Sequence, residues 1–298
     1  MPKNRLAIAT MLAAFSAVST ACAGSVRVPD RLETEVSQPQ AAPIVHVSAA
    51  TTAQILDRIQ PHRAYYEMSM SKVHQSSSVS DVRGLLGFQW ADACDGWTVE
   101  QLFRIQIFNS EGGEVDMQWS YATWESKDGL DYRFSLRRSQ GGDIVEEVRG
   151  SASLNERDGA GAAEFTLPEE ETIELPPGTV FPTAHTIKIL EAIKAGRSFF
   201  SMNLFDGSEL GPASEISTLI SDLKPGLSVD GVEDPLVSEP FWPVRLAFFP
   251  AEISTETPEH EQSLQLTDRG LVREIALDYD DFSLKGELTD FEVLAPDC

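Results

Sequence analysis

The sequence predicts a mainly β protein: a curved antiparallel sheet wrapped around one α-helix. Three observations predict it. Apolar and polar residues alternate with a period of two through much of the chain. Turn signals rich in Gly and Asp separate these runs at a spacing of roughly 15 residues, as in a meander of hairpins. A single apolar helix interrupts them in mid-chain, and such a helix must bury its face against a sheet.

The elements follow in order. Ser48–Ile59 carries a helical pattern, with Ile55, Leu56 and Ile59 on one face and Pro61 ending it. The period then changes to two. Ala64, Tyr66, Met68 and Met70 alternate first. Val99, Gln101, Phe103, Ile105 and Ile107 form one side of a strand, as do Val115, Met117, Trp119 and Tyr121, and then Tyr132, Phe134 and Leu136. Glu111-Gly112-Gly113, Lys127-Asp128-Gly129 and Gln140-Gly141-Gly142-Asp143 are the turns between them. The helix is expected over Ala184–Ala195, with Thr183 as N-cap and Gly196 just past its end. Ile187, Leu190 and Ile193 share its apolar face, Ile189 widens it, and His185, Lys188 and Glu191 lie opposite. Strands resume at Phe199–Phe205, turn through Asp206-Gly207-Ser208-Glu209, and return at Glu215–Ser221. Residues 224–240 read as a loop. Trp242, Val244, Leu246 and Phe248 alternate again. A closing hairpin pairs Leu264 and Leu266, across Asp268-Arg269-Gly270, with Ile275, Leu277 and Tyr279, and Asp280-Asp281 turns into Phe282, Leu284 and Leu288. No composition break divides residues 48–298, so one domain is expected there.

The N-terminus reads as an export signal. Lys3 and Arg5 precede an apolar run, Leu6–Ala21, and Ala21-Cys22-Ala23 forms a cleavage site ahead of Gly24. The run is shorter than the roughly 20 apolar residues of a membrane span and contains Ser and Thr. Residues 1–23 are therefore expected to be a cleaved signal peptide and 24–47 a flexible lead-in. A retained anchor and lipidation at Cys22 are the alternatives; the segment before Cys22 lacks the Leu expected three residues ahead of a lipidated cysteine. Cleavage would remove one of three cysteines. An even count in an oxidising compartment suggests a disulfide between Cys94 and Cys298, against two free thiols. Closing so long a loop is worth roughly 5 kcal/mol at most in the chain-entropy picture. Net charge is −24, and loss of Lys3 and Arg5 makes it more negative. Such a chain is repelled by nucleic acid and anionic headgroups and favours solubility or a basic partner. The Glu169-Glu170-Glu171 run reads as a solvated loop.

No catalytic set is visible. His46, His62, His74, His185 and His260 show no metal-ligand spacing, and no nucleophile elbow or phosphate-binding loop occurs. Cys94 as a nucleophile gives way to Cys94 as a half-cystine. Asp278, Asp280 and Asp281 could offer oxygens to calcium but lack a known loop pattern, so a solvated turn is the expectation. Trp90, Trp97, Trp119, Trp124 and Trp242 read as core or rim residues, with an apolar cavity lined by some of them as the alternative. No catalytic, cofactor-binding or metal-binding residue is assigned.

Several segments together resemble a known family. They are His62-Arg63-Ala64-x-Tyr66, Gly84 with Ala93-Cys94-Asp95-Gly96-Trp97, Phe181-Pro182-Thr183-x-His185 and Phe205-Asp206-Gly207-Ser208-Glu209. The Trp242–Phe249 strand and Leu277-Asp278-Tyr279-x-Asp281-Phe282-x-Leu284-x-Gly286-x-Leu288 with terminal Cys298 complete the set. Their order resembles the EipB family of periplasmic cell-envelope integrity proteins, over about residues 48–298. Trp97 and Asp280 stand where Tyr and Gly are expected. The resemblance implies a β-spiral or open barrel around the helix, similar to the lipoprotein carriers LolA and LolB. It also implies a Cys94–Cys298 disulfide, a periplasmic role in envelope integrity and a tetratricopeptide-repeat envelope protein as partner. It implies no catalytic residue. A non-enzymatic protein acting through protein partners is the first functional expectation. A carrier of lipid or lipoprotein acyl chains is the second, distinguished by a large dry cavity against a sheet filled by Ile187, Leu190 and Ile193. An envelope hydrolase, needing a pocket with a buried carboxylate pair, is the third.

Overall fold

A computed structural model of the chain describes residues 49–74, 77–250 and 257–295. The expected signal peptide, the lead-in and Cys298 lie outside the described residues.

The described residues form one sheet of 15 strands. Helix α1 (Ala49–Leu56) comes first, and Ile55 and Ile59 are buried as its pattern requires. Strands β1 (His62–Val73), β2 (Val79–Asp92), β3 (Gly96–Asn109), β4 (Glu114–Ser126), β5 (Asp131–Gln140), β6 (Asp143–Leu154), β7 (Gly161–Leu167) and β8 (Glu171–Leu175) make a continuous antiparallel meander. Strand β9 (Thr179–Val180) leads into helix α2 (Pro182–Lys194). Strands β10 (Phe199–Leu204), β11 (Ser214–Ile220), β12 (Phe241–Phe249), β13 (His260–Thr267), β14 (Val272–Asp278) and β15 (Phe282–Val293) form a second meander. The two meanders join where β15 pairs with β1, with Tyr66 opposite Leu288 and Met68 opposite Gly286. The sheet's two outermost strands, β8 and β9, are separated in sequence only by Pro176, Pro177 and Gly178. A sheet whose two edges are held that close is a nearly closed barrel. The expected mainly β curved sheet is what forms.

The alternating residues are the barrel's inner face. Ala64, Tyr66 and Met68 are buried, as are Ile105, Ile107, Met117, Trp119, Tyr132, Phe134 and Leu136. Gly112, Gly129 and Gly141 take positive φ in the three expected turns. Five strands were not expected: β2, β6, β7, β8 and β9, and β8 begins at Glu171, the last residue of the run read as a solvated loop. In β2, Leu85 faces out beside the inward Leu86, and Gly84 occupies an inner position where a Cβ would lie 2.1 Å from the Arg104 carbonyl oxygen. In β6 and β7 the small Gly150, Ala152 and Ala163 interrupt the inner row of Val148, Leu154 and Phe165, and a Cβ at Gly150 would lie 2.6 Å from the Phe134 ring.

The helix differs from expectation in its start and its polar face. Phe181 is the N-cap and Pro182 takes the first helical position, so Thr183 lies inside the helix and no side chain of its own segment caps it. Strand β4 supplies the cap. Glu125 accepts from the Thr183 and Ala184 N–H groups, both at 2.7 Å. His185 is buried, its Nε2 3.1 Å from Thr218 Oγ1, and Glu191 is buried accepting from Thr52 of α1. The face read as polar is thus the one that meets α1 and β11. Strand β9 runs parallel to β10, and α2 is the crossover that a parallel pair requires. Its Ile189, Leu190 and Ala192 pack with Ile216, Val244, Leu246 and Leu266 on the inner face of β11–β13.

Candidate functional site

The barrel interior divides. At one side Tyr132, Phe134, Phe165, Phe181 and Phe205 form a contiguous aromatic cluster, with Tyr132 stacked on Phe181 at 4.8 Å and 12°. At the other the inner faces of β1–β4 and β12–β14 do not meet, and a cavity of about 430 Å³ remains between them and α2. Small-molecule sites run roughly 300–1,000 Å³, so this is a full ligand volume. Its walls are mainly apolar. Leu86, Phe88, Phe103, Leu264, Ile275 and Leu277 point inward yet are only half-buried, because their free surface faces the cavity. Pro182, Thr186 and Ile189 of α2 line the other side.

The polar groups in the wall are few. Tyr66 donates to the Val272 carbonyl at 2.6 Å. Tyr121 and Tyr132 lie 2.7 Å apart, oxygen to oxygen, and both donate to the Asp206 carbonyl, Tyr132 at 2.8 Å. These bonds fix the segment after β10, and burial pushes both phenols up. The Asp206 carboxylate accepts from the Ser208 N–H at 2.9 Å. Asp206, Glu209 and Glu259 all line the cavity. Burial raises all three carboxyls, and Glu209 reaches about 7 because Asp206 and Glu259 add their repulsion. His185 and His260, also in the wall, are pushed down to about 4 by burial and are neutral at physiological pH. Outside the cavity, the Glu125 carboxyl at the start of α2 is 2% exposed. Burial pushes it up to about 7 although two backbone N–H groups pull the other way.

A model of the EipB-like family matches residues 53–295. The chain belongs to that family. A protein of Brucella abortus (strain 2308) named cell envelope integrity protein EipB is 28% identical over 250 residues, which is 83% of this chain and 88% of that protein. A crystal structure of a beta-barrel-like protein of unknown function from Brucella abortus superposes with a TM-score of 0.74 at 27% identity. It covers 80% of this chain and 99% of its own. The EipB-like family resemblance read from the ordered segments is therefore shown, and so is the barrel-like fold.

Within this family member the sequence-predicted residues fall in different places. Cys94 sits in the β2–β3 turn with φ +67°, its N–H donating to Asp92 at 3.0 Å. Cys298, the partner expected for it, is outside the described residues. Trp90 and Trp119 line the cavity; Trp97 packs under Trp90, ring centres 5.6 Å apart, and carries the Lys127 ammonium 3.1 Å from its own ring centre. Asp280 and Asp281 are exposed in the β14–β15 turn. Among the described residues no three His, Cys, Asp or Glu side chains gather to hold a metal ion. Sequence reasoning missed Glu125 and the cavity carboxyls. For Glu125 a signal existed: it shares parity with Val115, Met117, Trp119 and Tyr121, an acid on the apolar side of a strand. Asp206 and Glu209 lie in an irregular segment, where no periodicity says which side chains turn inward.

Proposed function

We propose that this chain is a non-enzymatic periplasmic protein that supports cell-envelope integrity, and that it acts by holding an apolar ligand inside its barrel. The envelope role follows the name of the Brucella relative, and export follows the signal-like N-terminus. The observation that carries the binding reading is the cavity of about 430 Å³. It persists although Leu190 is packed against the sheet, so the helix does not fill the interior. A void of that size lined by apolar side chains forfeits packing energy in the free protein, and a ligand that fills it restores those contacts. An acyl chain, free or on a lipoprotein, is the class of ligand that the apolar walls favour. Asp206 and Glu209 bear on the hydrolase reading. Both are half-buried in the wall, and Asp206 is engaged by its own turn through Ser208. The pair therefore supports an electrostatic wall rather than an acid and a base.

The test is native mass spectrometry of the full chain purified from its own periplasm without detergent. The expected result is a species heavier by one apolar molecule, depleted in Leu86→Trp, which narrows the cavity. Bare polypeptide from both proteins would end the binding reading.

A second reading has its own observation. Tyr65, Gly87 and Leu102 are in register across β1–β3 on the outer face, and Tyr65, Leu85 and Leu102 are exposed there. An apolar strip on a sheet exterior suits a protein partner, and the family resemblance implies an envelope protein with tetratricopeptide repeats. Cross-linking in the periplasm with Leu85→Lys as control tests it: loss of one specific protein adduct in the variant supports a partner, and an unchanged pattern removes it.

A further inference from the structure

The cavity's charge is one-sided. Asp206, Glu209 and Glu259 line it, and among the described residues no lysine or arginine does. The cation that acts on Glu209 is Arg138, which lies outside the wall, paired with Glu146 at 3.1 Å and 5.9 Å from the Trp119 ring centre. His185 and His260 face the same space without charge. An anionic head placed beside three carboxyls would be repelled and desolvated at once. A cationic head would be attracted by the same three carboxyls.

Resting on the reading that the cavity holds an apolar ligand, we infer that this ligand is a long-chain amine: an apolar chain ending in a protonated nitrogen. The amine faces Asp206, Glu209 and Glu259, and the chain lies along Leu86, Ile275 and Leu277. Fatty acids are disfavoured by the same wall.

The experiment titrates the full chain at pH 7.5 with three probes of equal chain length, 2-(dodecylamino)ethanol, 1-dodecanol and dodecanoate, by calorimetry and tryptophan fluorescence. The amino alcohol is expected to bind at least tenfold more tightly than dodecanoate, with dodecanol between them. The double variant Glu209→Gln, Glu259→Gln is expected to bring the amino alcohol down to the dodecanol affinity with a melting temperature no lower than that of the wild type. Dodecanoate binding as tightly as the amino alcohol, or a preference that survives in the double variant, overturns the inference while leaving an apolar-binding barrel in place. Failure of all three probes, dodecanol included, overturns both.

Discussion

The two sides of the barrel interior are built from the same alternating pattern and end in opposite states. On the aromatic side Tyr132, Phe134, Phe165, Phe181 and Phe205 are each 3% exposed or less, with ring centres 4.8–6.4 Å apart. Gly207, at φ +67°, backs onto Phe134 so closely that a Cβ would sit 2.4 Å from the ring, and Gly150 presses on the same ring from the other side. On the cavity side Leu86, Phe88, Phe103 and Ile275 keep half-exposed surface although they too face inward. Period-two patterning fixes which face a residue takes. Whether facing residues meet depends on how far the sheet curves and on what crosses its interior.

The same truncation on the two sides should have unequal effects. Phe134→Ala should cost roughly 3–5 kcal/mol, the usual range for a fully packed Phe. Phe103→Ala removes a side chain whose one flank is already empty and should cost less than half as much. Denaturant unfolding of both variants checks it, and equal losses would mean that the cavity side is as well packed as the aromatic side. Next in size is the covalent tie at the turn after β2. We propose that Cys94 pairs with Cys298. Cys94→Ser should lower stability by about 2–4 kcal/mol while leaving the far-ultraviolet β signal in place. Peptide mapping that finds Cys298 as a free thiol would remove the pairing.

The third effect concerns Glu125, which anchors α2 between the two sides. Its carboxyl is held at about 7 in the folded protein, against 4.5 for the unreacted side chain. The folded state therefore binds more proton between those values, and this group's contribution to stability falls as pH rises from 4.5 to 7, by about 3 kcal/mol in all. Glu209 acts in the same direction. His185 and His260 act in the opposite one: their lowered values make stability fall on acidification below about 6.5. The difference between wild type and Glu125→Gln isolates the carboxyl. Wild type should lose about 3 kcal/mol more than the variant between pH 4.5 and 7.5 in urea unfolding, and parallel profiles would show that the carboxyl stays ionised throughout.

Legibility followed the same division. The strands with large inner residues, β1, β3, β4, β5, β12 and β15, were readable, because Tyr, Phe, Trp and Leu at every second position leave one interpretation. Strands β2, β6, β7, β8 and β9 were not. Leu85, Ile144 and Val145 put large apolar side chains on exposed positions while Gly84 and Gly150 put none on the inner face, so the alternation blurs, and β8 and β9 are only five and two residues long. The start of α2 was misplaced for a different reason. Thr183 is a good local cap, but Glu125 approaches from 58 residues earlier and accepts from the Thr183 and Ala184 N–H groups, so the helix begins two positions sooner, at Pro182. Of the cavity, the sequence offered the aromatics Trp90 and Trp119 as possible lining. Its volume and its carboxyls arise from the distance between β2–β3 and β13–β14, which no single segment encodes.

The smallest expected effect on stability is the most informative about the hollow side. Leu86→Trp adds volume where the cavity now is, so it should change stability by less than about 1 kcal/mol, whereas enlarging a close-packed core position commonly costs about 1–3 kcal/mol. Ala152→Leu supplies that contrast: Ala152 is 5% exposed on the inner face of β6, within the packed cluster. A near-neutral Leu86→Trp beside a destabilising Ala152→Leu would confirm that free space is confined to one side. Equal penalties would mean that the cavity closes in solution, and the barrel would then hold its ligand only after opening around it.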